Sequence, residues 1–212
     1  MSVRARGLKR AVPITDLDAA HVPQWFIDSC LKIGYLFPRA HAVAYVMMAF
    51  RIAWFKVYQP LAYYAAYFTI RAEGSFNAPV ILKGLESQKA ELARIAALEH
   101  STAVEKGNAT VIEVAAEMYL RGMEFLPIDL DRSDASEFKM VDGKLLPPFN
   151  CIPALGDAVA KEIVRARDEH LFTSKEDLKK RGKVSQSIID TMDSMGILKN
   201  MPDEEQISLF SF

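Results

Sequence analysis

The stretch YLFPRAHAVAYVMMAFRIAWFKVYQP, residues 35–60, in a chain whose fold class reads as mainly α, carries one long helix from about residue 39 to 57. Pro38 falls near its start, where a missing N–H costs little, and Pro60 marks its end. Consecutive apolar or small residues fill positions 42–50. Around them stand the cationic or hydrogen-bonding heads of Arg39, His41, Arg51 and Lys56, and the flat rings of Phe37, Tyr45 and Trp54. On a helical wheel His41, Tyr45 and Phe55 share a stripe, with Met48 close by and Arg51 beside it. Cations and aromatics converging on one face suit holding a phosphate and stacking a base. A buried helix with snorkelling Arg and Lys ends is the plainer alternative.

Composition bounds what the rest of the chain can do. Its 212 residues suffice for one or two domains with a real core. Half are apolar and the formal charge is −1, so there is no global basic field, and any nucleic-acid binding has to be local. Cys30 and Cys151 lie far apart and fit a reducing cytoplasm better than a disulfide or metal pattern. The basic start SVRARGLKR has no apolar run behind it, so a secretory signal is not expected. Arg51, Lys56 and Pro60 interrupt the most apolar stretch, so no membrane span or membrane partner is expected either.

Helical signals dominate the order of elements. Helices are expected over residues 23–31, 39–57 and 61–70, then, after a break at Gly74 and Asn77, from Pro79 through Leu98. Residues 100–108 are small and polar and read as a loop, before a helix over 110–120 that stops at Gly122. Residues 137–141 and 144–146 flank Asp142 and Gly143, a pair suited to a two-residue β-hairpin turn. Pro147 and Pro148 close that piece, and a domain boundary is expected within 122–148.

From residue 149 to 198 the pattern resembles a helix-hairpin-helix module. Ile152, Pro153, Ala154, Leu155 and Gly156 form a tight turn before the helical run DAVAKEIVRARDE. Such a turn leaves N–H groups at the next helix start free to take a DNA phosphate, aided by the helix dipole. Ala158, Ile163 and Val164 are expected to pack inward, with Lys161, Arg165 and Arg167 flanking the DNA backbone. Phe172 and Leu178 seat the following helix, and the basic turn KKRGK, ending at Lys183, leads to Ser185 as the next cap. Phosphate contacts of this kind bind duplex with little sequence preference. An ordinary helical hairpin is the alternative.

FPRAHAVAYVMMAFRIAWFKVYQPLAYYAAYFTIRAE resembles the fingers region of the bacterial replicative DNA polymerase III alpha subunit, in the PolC-type branch of the C family. The resemblance starts near His21 and runs to residue 212; the basic segment 1–20 is divergent. It implies a fingers-like helical domain over 21–122, a short β or linker element over 123–148, the helix-hairpin-helix module over 149–198 and a tail over 199–212. It further implies that Phe37, Arg39, His41, Tyr45, Arg51 and Lys56 meet an incoming nucleotide. The family often has Gly where Ala154 stands, which puts close approach of that turn residue in doubt. In the tail, Gln206, Ile207, Leu209 and Phe210 of QISLF resemble the bacterial sliding-clamp-binding motif, Gln at the rim and Leu and Phe in an apolar cleft. The family's palm domain, which holds magnesium, would lie upstream of residue 1, so no cofactor is expected on this chain. Duplex DNA, an incoming dNTP within a full polymerase, the clamp and a palm-containing chain are the implied partners, in the bacterial cytoplasm at the replisome.

No nucleophile constellation or phosphate loop stands out, and the histidines at 21, 41, 100 and 170 lack metal-ligand spacing. Asp129 and Asp131 in PIDLDRS would share one face of a strand, as two-metal phosphoryl transfer needs. No third carboxylate partners them, and a solvated strand is the preferred reading. No catalytic residue is therefore assigned, and the chain alone is not expected to polymerise DNA. Two functions remain: part of a replicative polymerase, or a stand-alone DNA- or clamp-binding remnant. A helical scaffold without nucleic-acid contact is a weaker third.

Overall fold

The computed structural model describes residues 2–3, 12–32, 39–71 and 74–204. The chain divides into two compact units, residues 1–53 and 54–212.

In the first unit β1 (Ser2–Val3) pairs antiparallel with β2 (Val12–Pro13), Ser2 opposite Pro13. Two short helices follow, α1 (Ile14–Ala19) and α2 (Gln24–Lys32), and Ile27 of α2 is fully buried. The expected long helix exists as α3 (Arg39–Tyr58), and the division between units falls within it. No residue of α3 is buried; Tyr45, Val46, Phe50 and Tyr58 are all well exposed. Apolar residues around a whole circumference are the pattern of a covered helix, yet none of them is covered here, so the buried-helix alternative does not hold within this chain. Among the described residues it is the one helix long and apolar enough to cross a membrane by length and composition.

The second unit is built on one hydrophobic cluster running from Tyr64 to Leu198. Helix α4 (Pro60–Arg71) lays Tyr64 and Phe68 into it, and α7 (Ala103–Leu120) adds Ile112, Ala115 and Met118, positions three apart on one face. Phe68, Phe76, Phe125 and Phe138 meet ring to ring, with centroids 5.1–6.1 Å apart. That spacing favours edge-to-face contact beyond simple burial. The expected hairpin is present as β3 (Lys139–Val141) and β4 (Lys144–Leu146), with Val141 opposite Lys144. Asp142 and Gly143 both have positive φ, 52° and 76°, as the two-residue turn requires. Leu126 N–H donates to Leu145 O at 2.7 Å and Leu145 N–H to Glu124 O at 3.0 Å, so the hairpin is tied to the chain before it. The boundary expected within 122–148 is thus not where the compact units divide, because Phe125, Phe138 and Leu145 belong to the shared core.

Two local expectations are corrected. Residues 100–108 are not a loop: α7 begins at Ala103, where Thr102 Oγ1 accepts from Glu105 N–H and the Glu105 carboxylate accepts from Thr102 N–H. That reciprocal capping box carries the helix through Gly107 and Asn108. Residues 79–98 are not one helix but α5 (Ala78–Ile81) and α6 (Leu85–Ala96), separated at Gly84, whose φ of 96° no helix tolerates.

A 3-10 turn (Phe149–Cys151) then leads to α8 (Asp157–Glu169), α9 (Lys175–Arg181) and α10 (Gln186–Ser194). Beyond α10 the chain returns to the start of α9. There Lys175 and Glu176 N–H donate to Pro202 O and Asp203 O at 2.9 and 3.1 Å, and Lys175 Nζ sits 3.1 Å from Asp193 and 3.0 Å from Asp203.

Candidate nucleic-acid interface

The turn read from sequence closes as expected. Leu155 N–H donates to Ile152 O at 3.1 Å, Ile152 and Leu155 are buried, and Pro153 and Gly156 face outward. Ala154 takes φ of 64°, the left-handed conformation that the family's glycine would adopt without strain. Gly156 has an ordinary φ of −80° and opens α8. A Cβ there would meet nothing within 4 Å, so this glycine supplies an uncovered approach, not an unusual backbone.

A second hairpin repeats that geometry between α9 and α10. Lys183 takes φ of 53° where Ala154 stood, buried Val184 replaces Leu155 as the apolar plug, and Ser185 opens α10 with φ and ψ of −71° and 157°. The corresponding angles at Gly156 are −80° and 160°. Gly182 is fixed by space: an added Cβ would lie 2.7 Å from Leu178 O. The sequence shows the basic character of this turn and Ser185 as the residue that opens the next helix, though not its likeness to the first hairpin. The signal for its equivalence is the repeated order of a turn residue, an apolar plug and a small residue opening a helix.

Both following helices leave their first-turn amides without a side-chain cap. Gly156 has none to give, and Ser185 Oγ instead lies 3.0 Å from Ser187 Oγ. Helix α9, between them, is capped by Ser174, which accepts from Asp177 N–H at 3.0 Å. Uncapped N–H groups and the positive end of a helix form a ready anion site.

The charges around the hairpins differ from expectation. Lys161 is exposed and has no ion partner among the described residues. Arg165 is held by Glu162 at 2.9 Å and Glu169 at 2.6 Å, and Lys183 reaches the same Glu162 at 2.8 Å. Hydrogen bonds from Arg165 first, then Lys183, pull the Glu162 carboxyl down to about 2. Arg167 does not flank any surface. It is buried, and its Nη1 donates to Ser133 O at 2.5 Å and Leu130 O at 3.4 Å. Ala158 is exposed and Val164 half-buried; Ala160, Ile163 and Ala166 form the inward face. Phe172 and Leu178 are buried as expected, with the Arg181 guanidinium 4.7 Å above the Phe172 ring.

Asp129 and Asp131 do not lie on a strand. Asp129 Oδ1 accepts from the N–H groups of Asp131 and Arg132 at 2.9 and 3.1 Å, and Oδ2 pairs with Arg132 at 3.0 Å, an Asx turn spent on its own loop. Among the described residues no three His, Cys, Asp or Glu side chains are grouped to hold a metal. On α3, Arg39, His41, Tyr45 and Arg51 are exposed, and the His41 and Tyr45 rings meet edge-on at 4.5 Å. Lys56 instead bonds Glu117 at 2.7 Å, which raises its pKa, and lies 5.4 Å over the Tyr63 ring. Phe37 and the tail residues Gln206, Ile207, Leu209 and Phe210 lie outside the described residues.

Paired hairpins of this form define a helix-hairpin-helix module, and a family model described as "Helix-hairpin-helix motif" matches residues 122–207. Over about nine-tenths of its length the chain matches a segment of DNA polymerase III of the PolC type. The Thermotoga maritima PolC-type DNA polymerase III is 52% identical over 189 residues, covering 89% of this chain and 14% of that protein. For Pediococcus pentosaceus the figures are 53% over 194 residues, 91% and 13%. For Bacillus subtilis they are 51% over 191 residues, 90% and 13%. The chain thus spans about one-seventh of the curated relatives' length.

Proposed function

We propose that this chain grips duplex DNA within a PolC-type replicative polymerase, through the backbone amides that open α8 and α10. The reading is carried by the two uncapped helix starts, each behind a buried apolar plug, in a segment half identical to PolC-type polymerases. Backbone amides meet phosphates rather than bases, so the grip is indifferent to sequence and sensitive to salt. Chemistry would reside elsewhere in the polymerase, since Asp129 is committed to its own loop.

Gly156→Leu tests this reading. Its backbone suits any residue and its surroundings are open, so the melting temperature should hold while duplex affinity and the salt slope both fall. Unchanged affinity, or sequence-selective binding that ignores salt, overturns the reading; a flat salt response would favour the scaffold alternative.

Two finer roles belong to the same proposal. Helix α3 meets the incoming nucleotide through Arg39, His41, Tyr45 and Arg51, and the rest of the polymerase covers its apolar surface. Arg51→Ala in a complete polymerase should then weaken nucleotide affinity by about 1–3 kcal/mol; unchanged affinity removes the role. QISLF at 206–210 docks on the sliding clamp as an extended peptide. A peptide of residues 201–212 should bind the bacterial clamp and lose binding when Leu209 and Phe210 become Ala. Equal binding by both peptides, or none by the first, ends that part.

A further inference from the structure

Beside the first hairpin lies a cleft of about 480 Å³, walled on one side by residues 152–156 and backed by Phe76 and Phe138. Four neutral side chains of its lining, Ser75, Asn77, Asn108 and Ser136, are half-buried and have no hydrogen-bond partner among the described residues. Asn150 adds an amide oxygen, its nitrogen being used by Asp157 at 3.1 Å. No charged side chain is present among the described residues of the lining.

This inventory restricts the ligand. Away from the hairpin's own amides, an anion or a cation would find no charged side chain to pair with, and a wholly apolar group would strand four polar groups away from water. Amides and hydroxyls supply donors and acceptors together, the pattern presented by the edge of a nucleobase. The aromatic backing gives an apolar surface suited to a flat ring. Its position adds a further restriction, because one wall is the hairpin whose amides are the proposed phosphate site. A nucleotide held there by its phosphate would have its base within reach of the cleft once unpaired. We infer that this cleft receives the base of an unpaired nucleotide adjoining the gripped duplex. The inference rests on the duplex-binding reading above.

Fluorescence anisotropy with three DNAs separates the two ideas: a blunt duplex, the same duplex with a short unpaired extension at either end, and one whose extension is abasic. Wild-type protein should bind the base-bearing extension about tenfold more tightly than the abasic one, as expected for one docked base. An Asn77→Ala, Asn108→Ala double variant should lose that preference and keep its affinity for blunt duplex. Asn77 makes no side-chain cap, so neither change removes a bond within the fold. In wild-type protein a photoreactive base in the extension should cross-link to residues 74–77 or 150–156. Indifference to the abasic change, retained preference in the variant, or cross-links only elsewhere would overturn the inference and leave the cleft to a protein segment. Failure of the wild-type protein to bind the blunt duplex would instead refute the grip itself.

Discussion

Arg165 and Arg167 stand two residues apart on α8, and the same substitution at each should have opposite consequences. Arg167→Met keeps the apolar stem but removes a buried guanidinium that donates to Ser133 O at 2.5 Å and Leu130 O at 3.4 Å. Hydrogen bonds from a charged donor contribute roughly 1.5–3 kcal/mol, and a stranded buried carbonyl costs about 1–3 kcal/mol. The Leu130 bond is long and counts for little, and methionine recovers some packing, so a net loss of about 2–4 kcal/mol is expected. At roughly 2–4 °C per kcal/mol for a unit of this size, melting should fall by about 5–15 °C. Arg165 is exposed and pairs only with exposed or surface carboxylates, so Arg165→Met should leave melting nearly unchanged while weakening duplex binding and flattening its salt dependence. Differential scanning fluorimetry and a salt titration of anisotropy on both variants decide the matter. An Arg167→Met protein that melts like wild type but binds duplex poorly would refute the structural assignment of Arg167.

Glu162 competes with phosphate for Arg165 and Lys183, so Glu162→Gln should tighten duplex binding and steepen the salt slope by about 0.9 for each cation released; an unchanged slope would mean neither cation reaches DNA. Because its folded pKa of about 2 lies below the ordinary carboxylate value, its contribution to stability is fully present above about pH 4.5 and lost as pH falls toward 2. Acid melting curves of the two proteins should therefore converge over that window and differ above it. Gly182→Ala should destabilise by about 1–3 kcal/mol, since the new methyl would meet Leu178 O at 2.7 Å; wild-type melting would show that the second hairpin has room to give.

What the sequence made legible were features with a local chemical cause. Asp142 and Gly143 announced their turn because only certain residues accept two successive positive φ values. Ile152 to Gly156 announced the first hairpin by its proline, its apolar plug and its glycine. The start of α7 carried an equally local sign, Thr102 with Glu105, but the small polar residues after it masked the cap. Arg167 was illegible for a different reason. It lies one turn after Ile163, on the face that Ala160 and Ile163 turn inward, yet a guanidinium there is acceptable only because loop carbonyls from Leu130 and Ser133 come to meet it. No pattern within α8 encodes that meeting. The cleft is of the same kind, assembled from segments as far apart as residues 75 and 154.

The return of the chain to α9 fixes a geometric quantity. Pro202 and Asp203 are fastened by two backbone hydrogen bonds and by Lys175, which also holds Asp193. A motif beginning at Gln206 therefore starts three residues from an anchored point, a leash of about 10 Å even when fully extended. A sliding clamp taken up through the proposed QISLF contact on so short a leash would be held close against the proposed duplex-binding module, at a high effective concentration. Lengthening that leash with a flexible insertion after Glu204 would dilute the clamp's local concentration without touching either proposed contact, and processivity would be the quantity to register it.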